Sequence, residues 1–170
     1  MAARIVHFGW DTCHRLWVLR NAGYSIDDCQ SVVQLGAALR SGAHPDAVAF
    51  TESERFAPEE AVELTRSHSS APLILFRENH SNFAESTFDL VVPVLEPPEA
   101  WLTSVAELIA KFQVIRAQSE ALAKRSFVLR QEAAAVRRQT REQVGRSSQE
   151  RSRPHDPWAH VRNESEPREN

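Results

Sequence analysis

Lysine is nearly absent from this 170-residue chain: it occurs only at Lys111 and Lys124, and residues 1–110 contain none. The chain has 5 glycines, and none has the GxGxxG or GxxxxGK spacing of a phosphate-binding loop. No apolar run approaches the roughly 18 residues of a membrane-spanning helix, and no basic leader precedes an apolar segment. We therefore expect no nucleotide-binding loop of these kinds, no secretion and no insertion into a membrane.

The sequence is also poor in the patterns that hold metals or reactive nucleophiles. The two cysteines, Cys13 and Cys29, match no paired metal or redox spacing, so free thiols in a cytoplasmic protein are the simpler interpretation. The 7 histidines show no metal-ligand spacing. No GxSxG elbow occurs, although a Ser–His–Asp set need not be contiguous in sequence. We expect no metal, no cofactor and no enzymatic activity.

Charge is divided unevenly along the chain. Residues 1–110 hold 7 Arg against 15 Asp or Glu, a balance of about −8. Residues 111–153 hold 11 Lys or Arg against 4 Glu, about +7, and residues 154–170 come to about −2. The overall net charge of −3 hides this division, which predicts two surfaces of opposite character.

The first two thirds of the chain alternate short apolar or β-branched runs with helical patterns. Gly23 and Gly42 end two of the helices, and Pro58 opens a third, while SNFAES predicts a short helix at best. The five strand candidates are RIVHFGW (4–10), YSIDDCQS, DAVAFT, APLILF (71–76) and FDLVVPV (88–94). Continuous apolar runs separated by helices predict a parallel sheet with helices on both faces.

The last helix does not stop where the sheet ends, because no Gly or Pro occurs between Pro98 and Gly145. A seven-residue repeat runs along it, with two core positions that form a seam. The first seam positions are Val105, Phe112, Ser119, Ser126, Ala133 and Thr140. The second seam positions are Leu108, Ile115, Leu122, Leu129 and Val136.

This seam predicts pairing with another helix, in a coiled coil. The alternative is a single helix extending into solvent, because Ser and Thr weaken the first seam positions. From Gly145 the chain is polar and interrupted by prolines, which predicts disorder. We therefore divide the chain into an α/β head (1–112), an extended helix (113–145) and a disordered tail (146–170).

Five segments together resemble the response-regulator receiver (CheY-like) domain over about residues 3–112. They are RIVHFGWD, NAGYSI, HPDAVAFT, APLILF and PPEAWLTSVAELI. The resemblance implies a flavodoxin-like (βα)5 doubly wound sheet with strand order 2-1-3-4-5, here followed by a long C-terminal helix. It also implies a phosphorylation site beyond the carboxyl ends of the strands. Such a site needs acidic Mg²⁺ ligands, a nucleophilic aspartate, a hydroxyl residue and a lysine.

At those positions the sequence departs from the family. The acidic pair falls on Gly9 and Trp10, or on Trp10 and Asp11 with a one-residue shift, and the phosphoacceptor falls on Thr51. The hydroxyl residue falls on Arg77, and the lysine falls near Pro93 or Val94. The resemblance therefore implies a degenerate pseudo-receiver pocket without its phosphoacceptor aspartate.

Two side chains of this pocket have structural interpretations. Asp11 is expected to cap the first helix rather than to bind a metal, and Trp10 to plug the pocket. In another register, Glu52 or Glu54 could enter the pocket and Arg77 could supply the cation. That arrangement would still lack the paired Mg²⁺ ligands.

The sequence thus predicts a non-catalytic signalling or scaffolding module that docks partner proteins. Dimerisation would use the C-terminal helix, through a seam of Leu108, Phe112, Ile115, Leu122, Leu129 and Val136. The alternative is a regulator that binds nucleic acid through the arginines of this helix. Three glutamates interrupt that basic charge, and the acidic head would repel DNA.

Overall fold

The computed structural model describes residues 2–41, 44–52, 58–78 and 84–151, with side chains given for all but residues 58 and 145–151. The chain divides into two compact units, Met1–Ser119 and Glu120–Asn170. The strands are β1 (Arg4–Phe8), β2 (Ser25–Cys29), β3 (Ala47–Thr51), β4 (Leu73–Phe76) and β5 (Leu90–Val92). The helices are α1 (Arg15–Asn21), α2 (Val32–Arg40), α3 (Pro58–His68) and α4 (Pro98–Arg151).

The five strands form one parallel sheet, as the sequence predicts, in the order β2-β1-β3-β4-β5 that the resemblance implies. Strands β3 and β4 are buried at every residue, because helices cover both of their faces. In the register of the sheet, His7 on β1 lies opposite Asp28 on β2 and Ala49 on β3. Thr51, the last residue of β3, lies opposite Phe76 on β4.

Two hydrophobic cores lie on the two faces of the sheet, because successive strand residues point to opposite sides. One core packs β-strand residues such as Phe8 and Phe50 against α2 and α3. The other packs residues such as Ile5 and Phe76 against α1 and the first turns of α4. This second face is also the one from which His7 and Thr51 project.

The connection between β4 and β5 differs from the other crossovers. Within its described part it contains a short 3₁₀ turn, Glu85–Thr87, in place of a regular α-helix. The first half of the predicted short helix SNFAES, residues 81–83, lies outside the described residues. In the described part of this connection, no regular α-helix lies between β4 and β5.

Helix α4 begins with proline and an acidic residue in its first turn, which suits the free N–H groups and positive dipole of a helix start. Trp101, Val105 and Ile109 recur every four residues and are buried against the sheet. The helix continues through Gly145 to Arg151, so the predicted end at Gly145 is wrong. One glycine costs only about 1 kcal/mol in a helix and does not end it. The rest of the predicted tail, 152–170, lies outside the described residues.

Candidate functional site

The carboxyl edge of the sheet brings Gly9 and Thr51 together. Gly9 follows β1 with φ of +125°, a conformation that residues with a side chain rarely adopt. A Cβ at this position would lie 2.7 Å from the carbonyl oxygen of Thr51. Gly9, one of the positions on which the resemblance places the acidic pair, is thus closely packed against the backbone of Thr51.

A chain of hydrogen bonds crosses three strands beneath this contact. His7 is fully buried; its Nδ1 lies 2.9 Å from Oδ1 of Asp28, and its Nε2 lies 2.7 Å from Oγ1 of Thr51. An imidazole with its proton on Nδ1 donates to the carboxylate and accepts from the hydroxyl, so both ring nitrogens of His7 have a hydrogen-bond partner. The hydrogen bond from His7 lowers the pKa of Asp28, against the opposing effect of burial.

This arrangement resembles a carboxylate–histidine–hydroxyl set, but its hydroxyl is inaccessible. Thr51 is 2% exposed, and Gly9 packs against its backbone. A nucleophile must reach its substrate, and this hydroxyl is instead committed to the imidazole. The link from His7 to Asp28 and Thr51 was not predicted from the sequence. A polar residue within an otherwise apolar strand was the available signal.

Next to Thr51, a buried carboxylate binds the arginine that follows β4. Glu52 is fully buried; its Oε1 accepts a hydrogen bond from Nη1 of Arg77 at 2.8 Å, and its Oε2 accepts one from the backbone N–H of Glu78 at 3.1 Å. Arg77 also pairs with Glu85 of the 3₁₀ turn. The hydrogen bond with Glu85, followed by the charge of Glu52, raises the pKa of Arg77.

These contacts argue against the alternative in which Glu52 and Arg77 bind a phosphoryl group. The two side chains do meet at the carboxyl edge, but they neutralise each other there. Glu54 lies outside the described residues. No group of three or more metal-ligating side chains occurs among the residues that the structure describes.

Asp11 caps the first turn of α1 with its side chain, as expected, although His14 occupies the N-cap position. Its Oδ1 accepts a hydrogen bond from the backbone N–H of Arg15 at 2.9 Å, and its Oδ2 accepts one from Leu16 at 2.8 Å. Both carboxylate oxygens are thus used on the first turn of α1. Trp10, beside it, is 45% exposed, so it lies at the rim and does not plug the edge of the sheet.

Arg15 of α1 is a buried cation that was not predicted from the sequence. Arg15 is 5% exposed; its Nη2 donates to the carbonyl of Pro93 at 3.0 Å, and its guanidinium lies 5.0 Å from the ring centre of Phe76. Burial lowers the pKa of Arg15, and nearby acids partly offset this. A guanidinium therefore reaches the backbone after β5, near the place where the resemblance implies a lysine.

Both cysteines are free thiols, as expected from their spacing. Cys13 is exposed and Cys29 is buried. Burial, followed by the charges of Asp27 and Asp28, raises the pKa of Cys29 to about 11. The Cys29 thiol therefore stays protonated at neutral pH and behaves as a core side chain.

The seam of α4 has two different environments. Leu108 packs against the core of the head, and Phe112 is half-buried. The remaining second seam positions stay uncovered, at exposed fractions of 45% for Ile115, 67% for Leu122, 55% for Leu129 and 60% for Val136. The unpaired part of the seam therefore begins at Ile115.

No protein-family model matches the sequence. A search of curated proteins finds no match either. No helix within the described ranges is long and apolar enough to cross a membrane.

Solved structures do match. A response regulator receiver protein from Sinorhizobium medicae is 18% identical with a TM-score of 0.53, covering 64% of this chain and 95% of its own. An adenylate cyclase from Rhodopirellula baltica is 13% identical with a TM-score of 0.61, and the match covers 73% of this chain and 99% of the cyclase chain. A fusion protein carrying the trimeric coiled coil of yeast Spc42 is 14% identical with a TM-score of 0.55, and the match covers 76% of this chain and 94% of the fusion protein. At these identities the likeness establishes the fold alone, and residues of this chain from β1 to the start of α4 have the fold of a response-regulator receiver domain.

Proposed function

We propose that this protein is a pseudo-receiver: a signalling or scaffolding module that docks partner proteins without phosphoryl transfer and dimerises through α4. The observation that carries the proposal is the occupation of the carboxyl edge by internal contacts. Thr51, on which the resemblance places the phosphoacceptor, has its hydroxyl bonded to His7. Beside it, Glu52 and Arg77 form an ion pair with each other.

This occupation argues against a phosphorylation switch. A threonine hydroxyl cannot form the acyl phosphate of an aspartate, and the Glu52 carboxylate is fully buried. The neighbour named as an adenylate cyclase shares this fold, but a shared fold does not carry an activity with it. A domain without its switch still offers a permanent surface to a partner.

The exposed seam supports self-association. Four large apolar side chains at a seven-residue spacing, from Ile115 to Val136, are each 45% exposed or more. Leaving such side chains in water is unfavourable, by about 1.5–3 kcal/mol for each when compared with full burial. The structural neighbour that carries the trimeric coiled coil of yeast Spc42 adds support for oligomerisation of such a helix.

Nucleic-acid binding is the second candidate, because the basic side chains of α4 are accessible. Lys124, Arg125, Arg130, Arg137, Arg138 and Arg141 are all exposed. Contacts from such side chains to phosphates would give an affinity that falls steeply with salt. A salt-sensitive mobility shift of random-sequence DNA by the full chain would favour this candidate.

Sedimentation of the full chain tests self-association. We expect a concentration-dependent dimer that the double variant Leu122→Glu/Leu129→Glu converts to a monomer. Gln131→Glu is the matched control, because it adds a carboxylate to the same stretch of helix outside the seam. Equal weakening by the control variant, or a wild-type monomer at all concentrations, would contradict the proposal.

Incubation with acetyl phosphate is expected to leave the protein unlabelled, and a labelled residue at the carboxyl edge would refute the pseudo-receiver assignment.

A further inference from the structure

We propose that the partner of α4 is α4 of a second copy running in the opposite direction, with the overlap spanning residues 115–140. This inference rests on the self-association proposed above and adds its geometry. The whole overlap lies within the described helix, and it begins where the side chains of the seam become exposed.

Side-chain size along the seam favours the antiparallel orientation. From Ser119 onward the first seam positions are small or short, whereas the second seam positions are large. Reversing one helix places first positions opposite second positions. The resulting layers are Ile115 with Thr140, Ser119 with Val136, Leu122 with Ala133, and Ser126 with Leu129, the second member of each pair belonging to the other copy.

Each of these layers combines one large and one small side chain, so all have similar volume and pack at a uniform helix separation. In a parallel pair each residue would meet its own counterpart. Layers of two Ser119 or two Ser126 side chains would then alternate with layers of two leucines. Such a pair either leaves gaps at the serines or crowds the leucines.

Charges beside the seam are compatible with the same orientation. In the antiparallel pair, Arg125 faces Glu132 of the second copy, and symmetry repeats this contact near the middle of the overlap. Arg116 faces Arg137 of the second copy at the two ends, but Nη2 of Arg116 already donates to the carbonyl of Pro45 at 3.3 Å. In a parallel pair, Arg125 would face Arg130 near the middle, and Glu132 would face Arg137.

The overall charge distribution separates the two orientations more strongly. In both orientations the basic residues of the overlap lie side by side. A parallel pair also places the acidic residues 1–110 of both copies, about −8 each, at the same end of the helix pair, whereas an antiparallel pair places them at opposite ends. The two helix dipoles also align favourably only in the antiparallel pair.

Disulfide trapping of the full chain tests the orientation. A Cys13→Ser background removes the exposed thiol, whereas Cys29 is buried. Copies carrying Ser119→Cys are mixed with copies carrying Val136→Cys and mildly oxidised, and we expect a mixed disulfide dimer. Ser119→Cys alone should give none, because 17 residues of helix hold the two thiols about 26 Å apart. A disulfide dimer formed by Ser119→Cys alone would overturn the proposal.

Charge reversal supplies an independent test. Arg125→Glu places two carboxylates together in the antiparallel pair, so we expect the dimer to dissociate about tenfold more readily. The double variant Arg125→Glu/Glu132→Arg should restore the wild-type affinity. Tighter association of Arg125→Glu would indicate the parallel pair and overturn the proposal, as would a trimer. A monomeric wild-type chain would instead refute self-association itself, which distinguishes the two failures. Near-ultraviolet circular dichroism checks that each variant retains a folded head.

Discussion

Nε2 of His7 and Oγ1 of Thr51 lie 2.7 Å apart in the interior of the protein, at the strand end where a receiver domain keeps its phosphoacceptor. The contact joins β1 to β3, and through Nδ1 the same ring joins β1 to Asp28 on β2. Thr51, on which the resemblance places the phosphoacceptor, is therefore part of the hydrogen bonding that joins the strands. Four predictions test this view of the carboxyl edge.

Removing the Thr51 hydroxyl should lower the free energy of unfolding more than removing the hydroxyl of another buried threonine. Thr51→Val keeps the shape of the side chain but leaves Nε2 of His7 buried without a partner, at a cost of about 1–3 kcal/mol. Thr65→Val is the matched control, since Thr65 is also fully buried but bonds to the carbonyl of Ala61 within its own helix. Urea unfolding measures both. Equal losses at the two sites would contradict a special role for the His7 contact.

Gly9 should tolerate no side chain. In Gly9→Ala the new Cβ would meet the carbonyl oxygen of Thr51 at 2.7 Å, in a backbone conformation with φ of +125°. We expect a loss of about 2–4 kcal/mol from strain and contact together. Gly23→Ala is the control: φ there is +92°, but nothing lies within 4 Å of the added atom. We expect Gly23→Ala to lose only about 1 kcal/mol, which is the cost of the backbone conformation without a steric contact. Equal losses in the two variants would show that the contact with Thr51 is unimportant.

The sequence allowed the sheet to be predicted because its signals are local. Continuous apolar runs such as that of β3 mark buried parallel strands, and their alternation with helices determines the order of elements. The polar links escaped prediction for the opposite reason. His7 and Thr51 are 44 residues apart, and their contact depends on strand register, which composition does not reveal. The helix continues past Gly145 because a glycine followed by polar residues weakens a helix without necessarily ending it.

Acid should weaken the wild-type protein partly through Asp28. Its pKa is lowered below the ordinary 3.8 chiefly by the hydrogen bond with His7, so the unfolded chain binds this proton more readily. The stabilisation is therefore fully present above pH 3.8 and is lost as pH falls through the lower folded-state pKa. In Asp28→Asn, whose amide oxygen can still accept from Nδ1, the urea midpoint should fall less steeply as pH drops below about 4. An unchanged slope would mean that Asp28 and His7 do not interact in solution.

Removing Arg77 should destabilise the protein more when Glu52 keeps its buried charge than when Glu52 is neutral. Arg77→Met leaves the fully buried Glu52 carboxylate without its cation, and we expect a loss of about 3 kcal/mol. In the double variant Glu52→Gln/Arg77→Met the buried charge is gone, so part of that stability should return. Glu85→Gln is the control: Glu85 also binds Arg77, but its side chain is 62% exposed, so its loss should stay below about 1 kcal/mol. Chemical denaturation of the four proteins measures these differences. If Arg77→Met is no less stable than Glu85→Gln, then water or another group compensates Glu52, and the carboxyl edge is more open to ligands than these contacts indicate.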